Sequence, residues 1–256
     1  MSLPELLSAD NAIALYQAGI LILVAGVTAF ITAAFGIGGG VLLLAVMASV
    51  LPAPALIPVH GLVQLGANVN RAWLTRQAID KAMVGWFCVG GSVGAGLASF
   101  IVVQLPLSLI QFSVALFILV LVWGPSPRPR QVSSFGRLLT GFVTTIMTMF
   151  VGATGPLVAA FIHRHRYTKI HLTATLASCM SFQHALKALV FSFAGFAFFD
   201  WLPLVIAMAL AGMVGTWCGL QVLQRLGAPV FTRVFTLLVS VLAIKLLIDA
   251  SIALFA

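Results

Sequence analysis

Apolar residues run through this chain in long stretches, punctuated by glycine, proline and a few charges. Read between those breaks, the pattern predicts ten helical pieces. The first five cover about 14–35, 39–52, 55–74, 82–103 and 107–123, and the second five about 138–151, 155–163, 171–194, 201–222 and 228–248. A polar linker with three prolines and three arginines, Gly124 to Arg137, separates the two sets. Several pieces approach the ~20 residues needed to cross about 30 Å of hydrocarbon. Two are shorter, 39–52 and 155–163, and each follows a glycine-rich break. As half-helices or re-entrant pieces they leave a count of eight to ten membrane helices.

Composition then makes lipid the solvent. The 256 residues are 62% hydrophobic and only 7% charged, whereas a soluble domain carries about 25% charged residues. That excludes a soluble enzyme, a disordered chain and a secreted disulfide scaffold. The fold class is an all-α polytopic integral membrane protein with the lipid bilayer as its first partner. A net charge of +8 would suggest nucleic acid in a soluble protein. Here the cations sit beside the ends of apolar spans rather than on one face, so no nucleic-acid partner is expected. Cys88, Cys179 and Cys218 lie inside apolar runs without a CxxC and read as packing residues. No metal and no cofactor are expected. Residues 1–10 carry Glu5 and Asp10 but no Lys or Arg, unlike the basic start of a cleavable signal peptide. The first apolar segment is therefore expected to remain a membrane span.

Charge orients the spans. With the N-terminus outside, the inner loops hold Arg76 and Lys81, then Arg128, Arg130 and Arg137, then Arg164, Arg166 and Lys169, then Arg225 and Arg233. The outer loops hold no Lys or Arg, and Lys245 lies in the last span. This is the pattern of cytoplasmic loops, and it puts both termini outside. The chain also repeats itself. Phe35–Gly36–Ile37–Gly38–Gly39–Gly40–Val41–Leu42 aligns with Phe150–Val151–Gly152–Ala153–Thr154–Gly155–Pro156–Leu157 at an offset of 115, and Arg71 aligns with Lys187 at 116. The organisation is a first membrane repeat at 1–124, a cytoplasmic linker at 125–137 and a second membrane repeat at 138–256. Five pieces per half is an odd number, so the second half runs the opposite way. Two inverted-topology repeats with Gly-rich broken segments are the build of secondary transporters.

The breaks point to the site. Gly38, Gly39 and Gly40, with Thr154 and Gly155 in the second half, let the backbone leave the helix and expose amides suited to an anion. His60, Gln64, Asn68 and Arg71 share one face of the third piece, and Gln183, His184 and Lys187 share one face of its counterpart. Such groups are costly against lipid and should face a water-filled cavity. Asp80 and Asp200 stand at span ends, so neither cation has an obvious intramembrane counter-ion. Gly91, Gly94, Gly96, Gly212 and Gly215 read as helix-packing positions. Trp73, Trp86, Trp123 and Trp201 read as interfacial anchors. His163, His165 and His171 belong to a basic, lipid-facing loop rather than a metal site.

At these residues the chain resembles the TauE/SafE sulfite-exporter family of bacterial membrane transporters. The likeness rests on Gly36–Ile37–Gly38–Gly39–Gly40 with Asn68–Val69–Asn70–Arg71, and on Gly152–Ala153–Thr154–Gly155–Pro156 with Gln183–His184–Ala185–Leu186–Lys187. It spans roughly residues 20–250. The resemblance implies transport of sulfite, a sulfonate or a related organosulfur anion across a bacterial cytoplasmic membrane. Two departures are the second glycine element, Gly–Ala–Thr–Gly–Pro, and His60–Gly61 in the third piece.

The expectation is a secondary transporter for a small anionic substrate. Arg71 and Lys187 would supply charge, and Gln64, Asn68, Gln183 and Thr154 would supply hydrogen bonds. His60 and His184 are candidates for a coupling proton, with sodium as the other candidate ion. A homo-oligomer is compatible with the sequence. Export is favoured, because a monovalent anion leaving a cell that is negative inside gains about 2.3 kcal/mol per 100 mV. The alternatives are an anion channel or a carboxylate permease of the same fold. No HExxH and no Ser–His–acid set at membrane depth argues for an enzyme.

Overall fold

The computed structural model describes residues 12–36, 38–100, 133–162 and 167–223, with Leu7 and isolated positions between 112 and 124 and between 240 and 252. The expected pieces 107–123 and 228–248 lie outside the described residues except at those positions. So do Ile37, Arg128, Arg130, His163, Arg164, His165, Arg166, Arg225, Arg233 and Lys245.

Every described element is helical. The order is α1 (Leu15–Phe35), α2 (Gly39–Ala48), α3 (Ala53–Leu74), a 3-10 turn (Arg76–Ala78), α4 (Lys81–Ser99), α5 (Ser134–Val151), α6 (Gly155–Ile162), α7 (Lys169–Phe193) and α8 (Phe198–Val222). Helices α1, α4, α5 and α8 are long and apolar enough to cross a membrane. Helices α3 and α7 have 22 and 25 residues, and their polar stripes lower their hydropathy. Helix α2 ends at Ala48, short of the expected 52, because Pro52 has no amide hydrogen to continue it and instead caps α3. Helix α5 begins four residues before the expected 138. The Ser133 hydroxyl accepts from the Gly136 amide and caps it there, so residues 134–137 belong to the helix rather than the linker.

The first three helices of the two halves follow one order at a spacing of 116. Helices α1 and α5 end at Phe35 and Val151, α2 and α6 begin at Gly39 and Gly155, and α3 and α7 begin at Ala53 and Lys169. Gly36 therefore pairs with Gly152, which corrects the offset of 115 suggested by Phe35 and Phe150. Both glycines end a helix with left-handed backbone, φ 88° and 87°. That geometry penalises any Cβ, so the backbone sets the register and the phenylalanine match is incidental.

The helices pack in a crossed pattern. The first helix of each half lies along the fourth helix of the other, α1 on α8 and α5 on α4. In the middle α3 packs on α7, with α8 beside α3 and α4 beside α7. Helices α3 and α7 run antiparallel. Gly61, early in α3, abuts Lys187, late in α7, while Asp80, just past α3, donates its amide to Thr175 near the start of α7.

Lipid supplies no hydrophobic force between helices, so close approach of small residues has to hold them. A Cβ on Gly215 would lie 2.0 Å from the Gly26 carbonyl oxygen, and one on Gly90 would lie 1.9 Å from that of Leu138. Gly91, Gly94 and Gly212 also face neighbouring helices, whereas a Cβ on Gly96 would meet nothing within 4 Å. Gly96 is thus not a packing glycine. The short helices fill the two apolar clusters. Leu43, Leu44 and Met47 of α2 pack with Leu21, Leu56 and Met208. Val158 and Ile162 of α6 pack with Met83, Phe87 and Leu176. Trp201 is buried in the first cluster, so it is a core residue and not an anchor, while Trp73, Trp86 and Trp123 are exposed. The three cysteines are free thiols.

Gly215→Ala should separate α1 from α8 and cost about 1–3 kcal/mol, the range for overpacking. Gly19→Ala, where a Cβ meets nothing within 4 Å, should cost nothing. Thermal melting of the two purified variants in detergent checks the contrast.

Candidate substrate cavity between the halves

Each half breaks its first helix inside the apolar interior. In the first half, the Gly36 amide donates to the Thr32 carbonyl, and α2 restarts behind Gly38 at φ 107°. In the second, the Gly152 amide donates to the Thr148 carbonyl, and α6 restarts at Gly155. Between the breaks and the α3–α7 pair lies a small cavity, its wall largely apolar with a few polar side chains. Its lining includes Thr32, Gly36, Gly38, Gly40, Val41, His60, Gln64, Asn68 and Arg71 from the first half, and Ala153, Gly155, Pro156, Leu176, Met180 and His184 from the second. Its volume is about 40 Å³, enough to admit water.

Along α3 the polar groups form a ladder. Asn68 Nδ2 donates to the Gln64 carbonyl at 2.8 Å and to Gln64 Oε1 at 3.4 Å. Arg71 Nη1 donates to Asn68 Oδ1 at 3.2 Å. Arg71 is buried, and its Nε has no partner. A buried donor without an acceptor costs about 1–3 kcal/mol, more when charged, so this guanidinium is primed for an anion. Among the described residues no carboxylate pairs with it. His60 Nε2 lies 3.0 Å from the Gly40 carbonyl oxygen. A carbonyl only accepts, so that nitrogen carries the proton and Nδ1 is an acceptor. The Nδ1 atoms of both His60 and His184 are buried without partners, and the two rings stand edge to face with centroids 6.1 Å apart.

Of the expected site residues, Gly38, Gly40, His60, Gln64, Asn68, Arg71, Gly155 and His184 are brought together here. Gly39, Thr154, Gln183 and Lys187 are not among the lining residues. Gly39 seats α2 on α1, where a Cβ would lie 1.8 Å from the Thr28 carbonyl oxygen. Thr154 donates to Gln183 Oε1 at 2.8 Å, and Gln183 Nε2 donates to Thr144 and Thr145 at 3.1 Å each. These bonds bind α7 to α5 and to the second break. Lys187 is wholly buried, and its Nζ donates to the Gly152 carbonyl at 2.6 Å. The threonines of α1 and α5 escaped the sequence reading. Thr28 and Thr32 recur as Thr144 and Thr148 at the 116 spacing, a signal hidden by the 115 alignment.

One polar cluster ties the halves together beside the cavity. Asp80 caps α4 by accepting from the Met83 amide, and the Tyr167 hydroxyl donates to its other carboxylate oxygen. Partial burial pushes the Asp80 carboxyl up. The Tyr167 and Met83 hydrogen bonds and nearby Arg137 outweigh that and hold it below the usual carboxylate range. Burial and then Asp80 push the Tyr167 hydroxyl up.

Two matching sets of apolar helices around a small cavity with a buried guanidinium make a multi-pass membrane transport protein. The profile of the sulfite exporter TauE/SafE family matches residues 21–246, nearly the whole chain. The protein belongs to that family, whose members are transporters of small anions rather than enzymes. No curated protein and no solved structure matches the chain.

A carboxylate held below its ordinary value contributes stability above about pH 4 and loses it as pH falls through the lowered value. Tyr167→Phe should therefore melt lower than wild type at neutral pH. The gap should narrow below about pH 4, as melting curves across pH will reveal.

Proposed function

We propose that this protein is a secondary carrier that exports sulfite or a closely related small sulfur oxyanion across a bacterial cytoplasmic membrane, with both termini outside. The observation that carries the reading is Arg71: a buried guanidinium on the cavity wall with a free Nε and no acidic partner among the described residues. The small cavity supports a compact anion of the kind the family carries. Gly38, Gly40 and Gly155 would let the ligand approach the backbone. Gln64 and Asn68 would hold Arg71 and bond the oxyanion, and Gln183, Thr154 and Gly39 would shape the breaks. His60 and His184 each present an unpartnered ring nitrogen, which supports a role in receiving a proton-bearing form of the anion or a coupling proton.

The antiparallel α3–α7 pair and the shared element order support two inverted repeats. In that arrangement Arg71 lies toward the inner face, among the basic loops, and Lys187 toward the outer.

Sulfite should stabilise the detergent-purified protein, by about 2.7 kcal/mol at one hundred times its dissociation constant. Arg71→Gln should abolish that gain. Stabilisation by acetate but not sulfite would point to a carboxylate permease. In liposomes, saturable sulfite flux fits a carrier, and flux that never saturates fits an anion channel.

A further inference from the structure

The two helix breaks are alike in sequence but not in state. At the second, two donors converge on one carbonyl: Lys187 Nζ and the Thr148 hydroxyl both donate to Gly152 O, at 2.6 and 3.1 Å. The matching positions of the first half are Arg71, Thr32 and Gly36. There the Thr32 hydroxyl turns back to the Thr28 carbonyl at 2.9 Å, and among the described residues Arg71 reaches only Asn68, its Nε unpartnered. Thr32, Gly36 and Arg71 all line the cavity, while Thr148, Gly152 and Lys187 are absent from its lining. One trio is open and its counterpart is closed on itself.

We infer that these are the two states of one device. Resting on the carrier reading above, Lys187 is a latent second anion seat that opens when Arg71 closes. In the related state, Arg71 and the Thr32 hydroxyl would take the Gly36 carbonyl. Lys187 and Thr148 would release Gly152, and the Lys187 Nζ would face the cavity. The fold supplies what such an exchange needs. The trios sit at the same 116 spacing, and the two glycines share a positive φ, 88° and 87°. Helices α3 and α7, which carry the two basic side chains, pack directly on one another. Each state buries one cation on a carbonyl and offers the other to an anion. A single ligand is thereby handed from Arg71 to Lys187 without both charges ever facing it together.

The test uses paired thiol probes in a chain whose three native cysteines are replaced. Val41→Cys lines the open cavity described here, and Leu157→Cys is its counterpart at the 116 spacing. The ratio of maleimide labelling at Leu157→Cys to that at Val41→Cys reports the balance of states. Thr148→Val, nearly isosteric, removes a donor from the Gly152 carbonyl and should raise this ratio by up to about tenfold, the worth of one hydrogen bond. Lys187→Met should raise it further, and Thr32→Val should lower it. Ratios that move in one direction for both threonine variants, or do not move in any variant that stays monodisperse, overturn the exchange. Sulfite flux through the wild-type protein separates the two readings. Shifted ratios without flux keep the exchange and discard sulfite, whereas flux with unshifted ratios discards the exchange and keeps the carrier.

Discussion

A helix interrupted inside an apolar medium leaves backbone groups that water cannot reach, and every one must find a partner within the protein. Most of this structure answers that demand. Gly36 and Gly152 turn the chain, and the amides freed there go back to Thr32 and Thr148. The carbonyls at and beyond the turns then attract side-chain donors, chiefly from the third helix of each half. Lys187 and Thr148 satisfy Gly152, and His60 satisfies Gly40. The polar stripes of α3 and α7 are thus first a means of letting two helices stop in mid-interior, and only then a surface for a ligand. Among the described residues neither Arg71 nor Lys187 meets a carboxylate, and Arg71 is the one left with an unpartnered donor on the cavity wall.

The crossed packing gives the breaks a rigid frame. Glycine contacts lock α1 to α8 and α4 to α5 at backbone distance, so each half depends on the other for its outer wall. The short helices α2 and α6 fill matching apolar clusters, while the central α3–α7 pair carries the polar residues. Buried cations without carboxylates would be a liability in a purely structural protein. On the wall of a small cavity, Arg71 favours a small anion that brings its own negative charge.

The two ends of the central pair are held by different forces. Asp80 and Tyr167 meet at one end through a charged hydrogen bond. The positions 116 residues away, Phe196 and Leu51, both belong to the first apolar cluster instead. A polar tie near the basic loops and an apolar one at the matching site fit a pair of halves whose sides face different surroundings.

Hydropathy alone determined the all-helical class and the bounds of the described helices to within a few residues, and the internal repeat suggested the pairing of Arg71 with Lys187. The first two follow from lipid's intolerance of charge and from the length of chain that crosses it, both local properties. The sequence also placed the breaks at the glycines, since few other residues adopt a left-handed turn there. It could not decide which polar residues face the ligand, because residues on one helical face can still point to different neighbours. Gln183 shares a face with His184 and Lys187 yet spends its hydrogen bonds on Thr154, Thr144 and Thr145. Lys187 matches Arg71 in register, but only the packed structure shows it turned onto Gly152 while Arg71 stays open. That difference depends on which carbonyl each cation meets when two halves close on one another, and such a contact exists only in three dimensions.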